Sequence, residues 1–189
     1  MYELSAFILD LAQNSLTAGA RLVKLWVVAD QQANVLRVTI ADNGSGMPAA
    51  MVDKALDPFV TSKAARKKKI GLGLPLFRQL VESCCGTFRI RSRQGIGTVV
   101  SGVYPLDNVD QPVLGDMGGT MLALVAGNPR VDFRFVVRTP ESDKTFDTRP
   151  VREALGPDAA ALWQSPDMLK WFRQELTGEY EDGVVKGER

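Results

Sequence analysis

Residues 10–20 read Asp10-Leu11-Ala12-Gln13-Asn14-Ser15-Leu16-Thr17-Ala18-Gly19-Ala20. Together with Leu4, Phe7 and Ile8 upstream, Leu11 and Leu16 recur at helical spacing and Gly19 supplies a stop, so the spacing predicts an amphipathic helix over 3–17. Asp10 and Asn14 fall one turn apart on the edge of its apolar stripe, separated by ~6 Å along the axis.

Working outward, Leu22 to Val28 and Val35 to Ala41 are β-rich runs joined by a polar turn and predict an antiparallel pair. Asp42-Asn43-Gly44-Ser45-Gly46 breaks the chain sharply, and Pro48 suits the first turn of a short helix ending near Leu56. An irregular polar stretch follows, holding Pro58-Phe59-Val60-Thr61-Ser62-Lys63 and the basic run Arg66 to Lys69. Gly71-Leu72-Gly73-Leu74 then opens a second helix that stops near Cys85-Gly86, and strands at 87–93 and 98–104 flank the turn Gln94-Gly95-Ile96-Gly97. Beyond the Pro-bounded stretch 105–112 the pattern predicts helices near 115–126, 151–155 and 167–176 with strands at 131–138 and 145–147. Trp26, Phe88, Phe133 and Phe135 alternate on strands and are expected in the core, as are Cys84 and Cys85 at a helix end.

Composition narrows the chemistry. The 189 residues, 45% apolar and 24% charged, suit one large domain or a domain with an appendage. No histidine is present, which removes Ser-His-Asp and Cys-His pairs, His-ligated metals and a histidine that accepts phosphate. The net charge of +1 does not advertise nucleic acid. Residues 1–110 carry 13 basic and 9 acidic side chains, whereas 111–189 carry 10 and 13, a contrast that suggests two units. Two adjacent cysteines, no bilayer-length apolar run and a start, Met1-Tyr2-Glu3-Leu4, without signal-peptide character predict a soluble cytoplasmic protein. The P-loop and dinucleotide fingerprints are absent, because Leu76 and Val100 stand where the latter needs its third glycine. The Val-Ala-Ile-Lys and His-Arg-Asp kinase elements are missing too.

What remains is an ordered set: Asp10-x-x-x-Asn14, Asp42-x-Gly44-x-Gly46, the Pro58-to-Lys63 loop, Gly71-x-Gly73 and Gly97-Thr98. Over Leu4 to Pro105 this set resembles the GHKL, or Bergerat-fold, ATP-binding domain of histidine kinases, gyrase-type ATPases, MutL and related heat-shock chaperones. Residues 10–20 look like the MutL version, and 71–82 with 95–100 look like the histidine-kinase version. The resemblance implies an α/β (α+β) two-layer sandwich with a mixed, mainly antiparallel sheet and helices on one face. It would span residues 1–106, with a small α+β extension at 113–183 that docks on it or binds a partner.

The resemblance also implies ATP and Mg²⁺ as cofactors. Asn14 matches the asparagine that holds the metal against the phosphates, and Asp42 the aspartate that accepts from the adenine amino group, with Gly44 and Gly46 beside it and Thr98 nearby. Gly71, Gly73 and Leu74 match the phosphate-binding lid and helix start, and Lys63 a γ-phosphate contact. Asp10 matches the general base, but the family's residue there is a glutamate, and the shorter side chain predicts slow turnover or help from a partner. Thr17 replaces a basic phosphate contact, and the segment from Lys63 to Gly71 is short for a lid.

Three functions fit: a regulatory protein kinase acting in trans on a protein partner, a weak ATPase switch, and an ATP-binding module without turnover. No nucleic-acid or membrane partner is expected, and a homodimer stays open. Residues 71–77 and Thr148-Arg149-Pro150 are also similar to stand-alone ATP-binding proteins encoded beside iron-hydrogenase subunits.

Overall fold

A computed structural model describes residues 3–57, 72–140 and 142–178. In chain order the elements are α1 (Leu4–Thr17), β1 (Leu22–Asp30), β2 (Val35–Asp42), α2 (Ala49–Ala55), α3 (Gly73–Ser83), β3 (Thr87–Arg93), β4 (Gly97–Pro105), α4 (Met117–Gly127), β5 (Asp132–Thr139), β6 (Ser142–Asp147), α5 (Thr148–Leu155), α6 (Ala159–Leu162) and α7 (Pro166–Thr177). One six-stranded sheet runs β3-β4-β2-β1-β5-β6. All neighbours are antiparallel except β1 and β5, which pair in parallel from Leu22 against Asp132 to Val28 against Arg138.

Alternation decides which face is covered. Val23, Leu25 and Val27 of β1, Leu36, Val38 and Ile40 of β2, and Phe133, Phe135 and Val137 of β5 all point to one side, where they meet Leu4, Ile8, Leu11, Phe77, Val81 and Leu124 from the helices. These residues form a single core on one face of the sheet. Trp26 differs from expectation: it is half-buried on the opposite face, because its β1 neighbours at 25 and 27 occupy the helix side. Cys84 is buried but Cys85 is exposed, since it takes the left-handed turn (φ 56°) that ends α3. α6, with four residues, and the three-residue turn before it are too short to be read from periodicity.

The segment after Pro112 is built into this sheet. β5 and β6 extend it beyond β1, and the carbonyls of Val113 and Leu114 accept from the Leu4 and Ser5 N–H groups at 2.9 and 3.0 Å, satisfying donors that α1 would leave unpaired. Phe146 lies opposite Phe135 and meets Phe172, which in turn meets Trp163 with ring centres 4.9 Å apart. Arg152 locks the far end: its guanidinium bonds Asp132 at 2.9 Å and the Pro129 carbonyl at 2.9 Å, and lies 4.3 Å from the centre of the Trp163 ring. Thr148 and Arg149, singled out in the sequence, begin α5. The Thr148 hydroxyl is buried and accepts from the Phe133 N–H at 2.8 Å, while Arg149 pairs with Asp147. No helix among the described residues is long and apolar enough to cross a membrane.

Candidate nucleotide-binding site

A cavity of about 610 Å³ opens between α1, the end of β2, the start of α2 and the β3–β4 hairpin. That volume lies within the range of ~300–1,000 Å³ usual for small-molecule sites. Its walls are apolar, with Leu11, Ile40, Met47, Met51, Leu74 and Val100, and a few polar groups converge on them: Asn14, Ser15, Asp42 and Thr98.

Asp42 ends β2 with its side chain on the helix side, opposite Thr98 in the ladder. Both of its carboxylate oxygens are held. Oδ2 accepts from the Ser15 hydroxyl at 2.8 Å, and Oδ1 accepts from the Gly44 N–H at 2.9 Å. Fixed in this way, the carboxylate keeps free lone pairs directed by the fold, as an acceptor for a donor in the cavity must. Asn43 turns the other way and ties the loop down, accepting from Arg21 N and Leu22 N at 2.9 and 2.8 Å. Gly46 is required by geometry: its φ is +60° and a Cβ would run into the Arg93 carbonyl.

A hydroxyl relay braces the neighbouring strands. Ser92 Oγ accepts from Met47 N at 2.8 Å, donates to the Gly97 carbonyl at 3.2 Å, and lies 2.8 Å from Thr98 Oγ1. Either hydroxyl of the Ser92–Thr98 pair can donate, and Thr98 lies opposite Asp42 in the ladder.

At the other end, α3 begins against α1. A Cβ on Gly73 would sit 2.8 Å from Asp10 Cβ and 3.6 Å from Asn14 Nδ2, so only glycine allows this approach. The helix N-terminus, with its unpaired donors and positive dipole end, therefore abuts Asp10 and Asn14. Asn14 Nδ2 is buried without a hydrogen-bond partner among the described residues, a costly arrangement unless an acceptor is supplied when a ligand binds.

The sequence-derived candidates thus separate into groups. Asn14, Asp42, Gly46, Leu74 and Thr98 line the cavity together; Gly44 supports Asp42 from behind, and Gly73 seats α3. Asp10 is exposed and sits beside Gly73 rather than in the cavity wall. Lys63, Gly71 and the Arg66-to-Lys69 run lie outside the described residues. Ser15 and Ser92 were not foreseen. Ser15 reaches Asp42 across 27 residues, which no local pattern reveals, although the alternation of β3 does place Ser92 on the cavity side.

The residues present fit a nucleotide and its metal. An unpartnered buried amide and a glycine-seated helix N-terminus suit phosphate oxygens, and an oriented carboxylate suits an amino group. Among the described residues no group of three His, Cys, Asp or Glu side chains could hold a metal alone.

Comparison with known proteins gives the same picture. The family described as histidine kinase-, DNA gyrase B-, and HSP90-like ATPase matches residues 3–108. An NtrY-like sensor histidine kinase of Rickettsia conorii is 29% identical over 92 residues, covering 49% of this chain and 15% of its own length. The tetrathionate sensor histidine kinase TtrS of Salmonella typhimurium is 36% identical over 92 residues, 47% of this chain and 15% of that protein. The chain therefore spans a small part of these curated relatives. Among solved structures, the Aquifex aeolicus MutL ATPase domain complexed with ADP aligns with a TM-score of 0.51 at 15% identity, covering 85% of this chain and 69% of the other, and so shares its fold. With the matched segment running from the start of α1 past β4, the chain belongs to the histidine kinase-, DNA gyrase B- and HSP90-like ATPase family.

Proposed function

We propose that this protein binds Mg-ATP in the cavity described above and transfers its γ-phosphoryl group to another protein, acting as a regulatory kinase in trans. The observation that carries the reading is the Asp42 carboxylate, held by Ser15 and Gly44 in an apolar cavity also lined by Asn14, whose Nδ2 has no hydrogen-bond partner among the described residues. Asp42 and Thr98 would receive the adenine, and Asn14 would hold the phosphates and Mg²⁺, with Lys63 and Gly71 as further phosphate contacts. ATP would supply a transferable phosphoryl group, and the chain's part is positioning and charge neutralisation. The absence of histidine directs any transfer to another protein or to a non-histidine acceptor.

A second reading is favoured by Asp10. As an aspartate beside Gly73 and outside the cavity wall, it is short for a base that must come within ~3 Å of the proton it removes. A slow ATPase switch, or a module that only senses ATP, fits that placement. Incubation with γ-labelled ATP, alone and with candidate partners, separates these readings. Label on a partner supports the kinase, free phosphate the ATPase, and intact ATP retained on the protein the sensor. Failure to retain ATP at all would remove all three.

A further inference from the structure

The side of the sheet away from the helices carries a second organised surface. Its middle row runs Arg89, Ser101, Thr39, Trp26, Val136 and Thr145 across the six strands in register. The flanking rows run Arg91, Val99, Ala41, Lys24, Arg134, Asp147 and Thr87, Val103, Arg37, Val28, Arg138, Asp143. Arg93 adds a further cation at the end of β3.

The acids on this face are already engaged within the chain. Asp30 accepts from Ala33 N at 2.9 Å, Asp132 pairs with Arg152, Asp143 with Arg138 at 3.4 Å, and Asp147 with Arg149 at 2.6 Å. Lys24, Arg37, Arg89, Arg91 and Arg93 have no salt-bridge partner among the described residues. The face is therefore cationic from β3 to β1, with half-buried Trp26 and Val28 set among hydroxyls and cations.

We infer that this uncovered face docks an acidic surface of a protein partner. A half-buried tryptophan set among arginines has the composition of an interaction hot spot, and arginine forks match carboxylates two bonds at a time. A second copy of the chain is disfavoured, since a two-fold pairing through this face would set cations against cations. Single-stranded nucleic acid calls for successive stacking aromatics, and Trp26 is the one aromatic residue in the three rows. At strand and residue spacings of ~4.8 and ~3.3 Å, the face covers on the order of 500 Å². That is below the ~800 Å² per partner of a standard stable complex and fits a transient one. The face lies across the sheet from the cavity, so a partner docked there leaves the cavity open.

The test uses the full chain and a fluorescein-labelled 20-residue poly-glutamate peptide as the acidic probe, followed by anisotropy. The peptide should bind, more weakly as salt rises, with a change in tryptophan emission that Trp26→Phe removes. Arg89→Glu/Arg91→Glu should weaken binding at least tenfold, whereas Arg78→Glu/Arg173→Glu, an equal charge change on helices α3 and α7, should stay within twofold. Circular dichroism checks the fold, and Lys24→Gln/Arg37→Gln serves if the reversal variant does not fold. Equal losses in face and control variants would overturn the inference. So would tighter binding of a 20-mer oligothymidylate, or self-association that the face variant abolishes.

Discussion

Asp42 depends on a neighbour that lies far away in sequence. The Ser15 hydroxyl donates to its Oδ2 at 2.8 Å and is itself buried, so Ser15→Ala leaves one carboxylate oxygen without its donor. At ~1 kcal/mol for a typical hydrogen bond, this should weaken ATP binding about fivefold by calorimetry, with little change in the circular dichroism spectrum. Asp10→Ala should act differently, because Asp10 stands outside the cavity wall: ATP affinity should stay within about threefold, while phosphate release or transfer falls at least tenfold. Turnover that survives in this variant would remove Asp10 as the base. At this scale the sequence made Asn14, Asp42 and Thr98 legible because each belongs to a short local motif. Ser15 and Ser92 were hidden because their roles arise from contacts across 27 and 45 residues.

Element positions follow from local chemistry to within a residue or two where periodicity is strong. α1, predicted over 3–17, forms over Leu4–Thr17, and the strands at 87–93 form over Thr87–Arg93. The α5 start was missed by three residues because its first turn is set by a cap rather than by apolar spacing. Asp147 accepts from Arg149 N at 3.0 Å, and its carboxyl is held below its ordinary value chiefly by the Arg149 side chain. Asp147→Ala should therefore cost about 1 kcal/mol in urea unfolding near neutral pH. Because the folded value is depressed, this contribution is present above the unfolded carboxylate value of ~3.9 and is lost as pH falls through the folded one. The wild type and variant should accordingly converge in stability below about pH 4; a difference that persists unchanged to pH 2 would refute the pairing.

For the whole molecule, the charge contrast between halves suggested an appendage, whereas topology places β5 beside β1 in one sheet. Sequence patterning can identify a strand without saying which edge it joins, since parallel pairing across about 100 residues leaves no local mark. Phe133, Phe135, Met121 and Phe172 share the core with Leu4, Ile8 and Leu25. A fragment ending at residue 112 would expose the edge of β1 and part of that core, and would remove the Val113 and Leu114 carbonyls that meet α1. It should be largely insoluble or unfold without cooperativity in urea. A soluble fragment with a sharp transition would show the two parts to be independent.

The central claim is that the Asp42 cavity is an ATP site. Its most direct test is calorimetric titration of ATP with Mg²⁺ into the wild type and into Asp42→Asn. The account predicts saturable one-site binding by the wild type and at least tenfold weaker binding by the variant, on the order of 1.4 kcal/mol, because an amide presents a donor where the site needs an acceptor. Equal affinity in the two proteins, or no binding by the wild type, would contradict it.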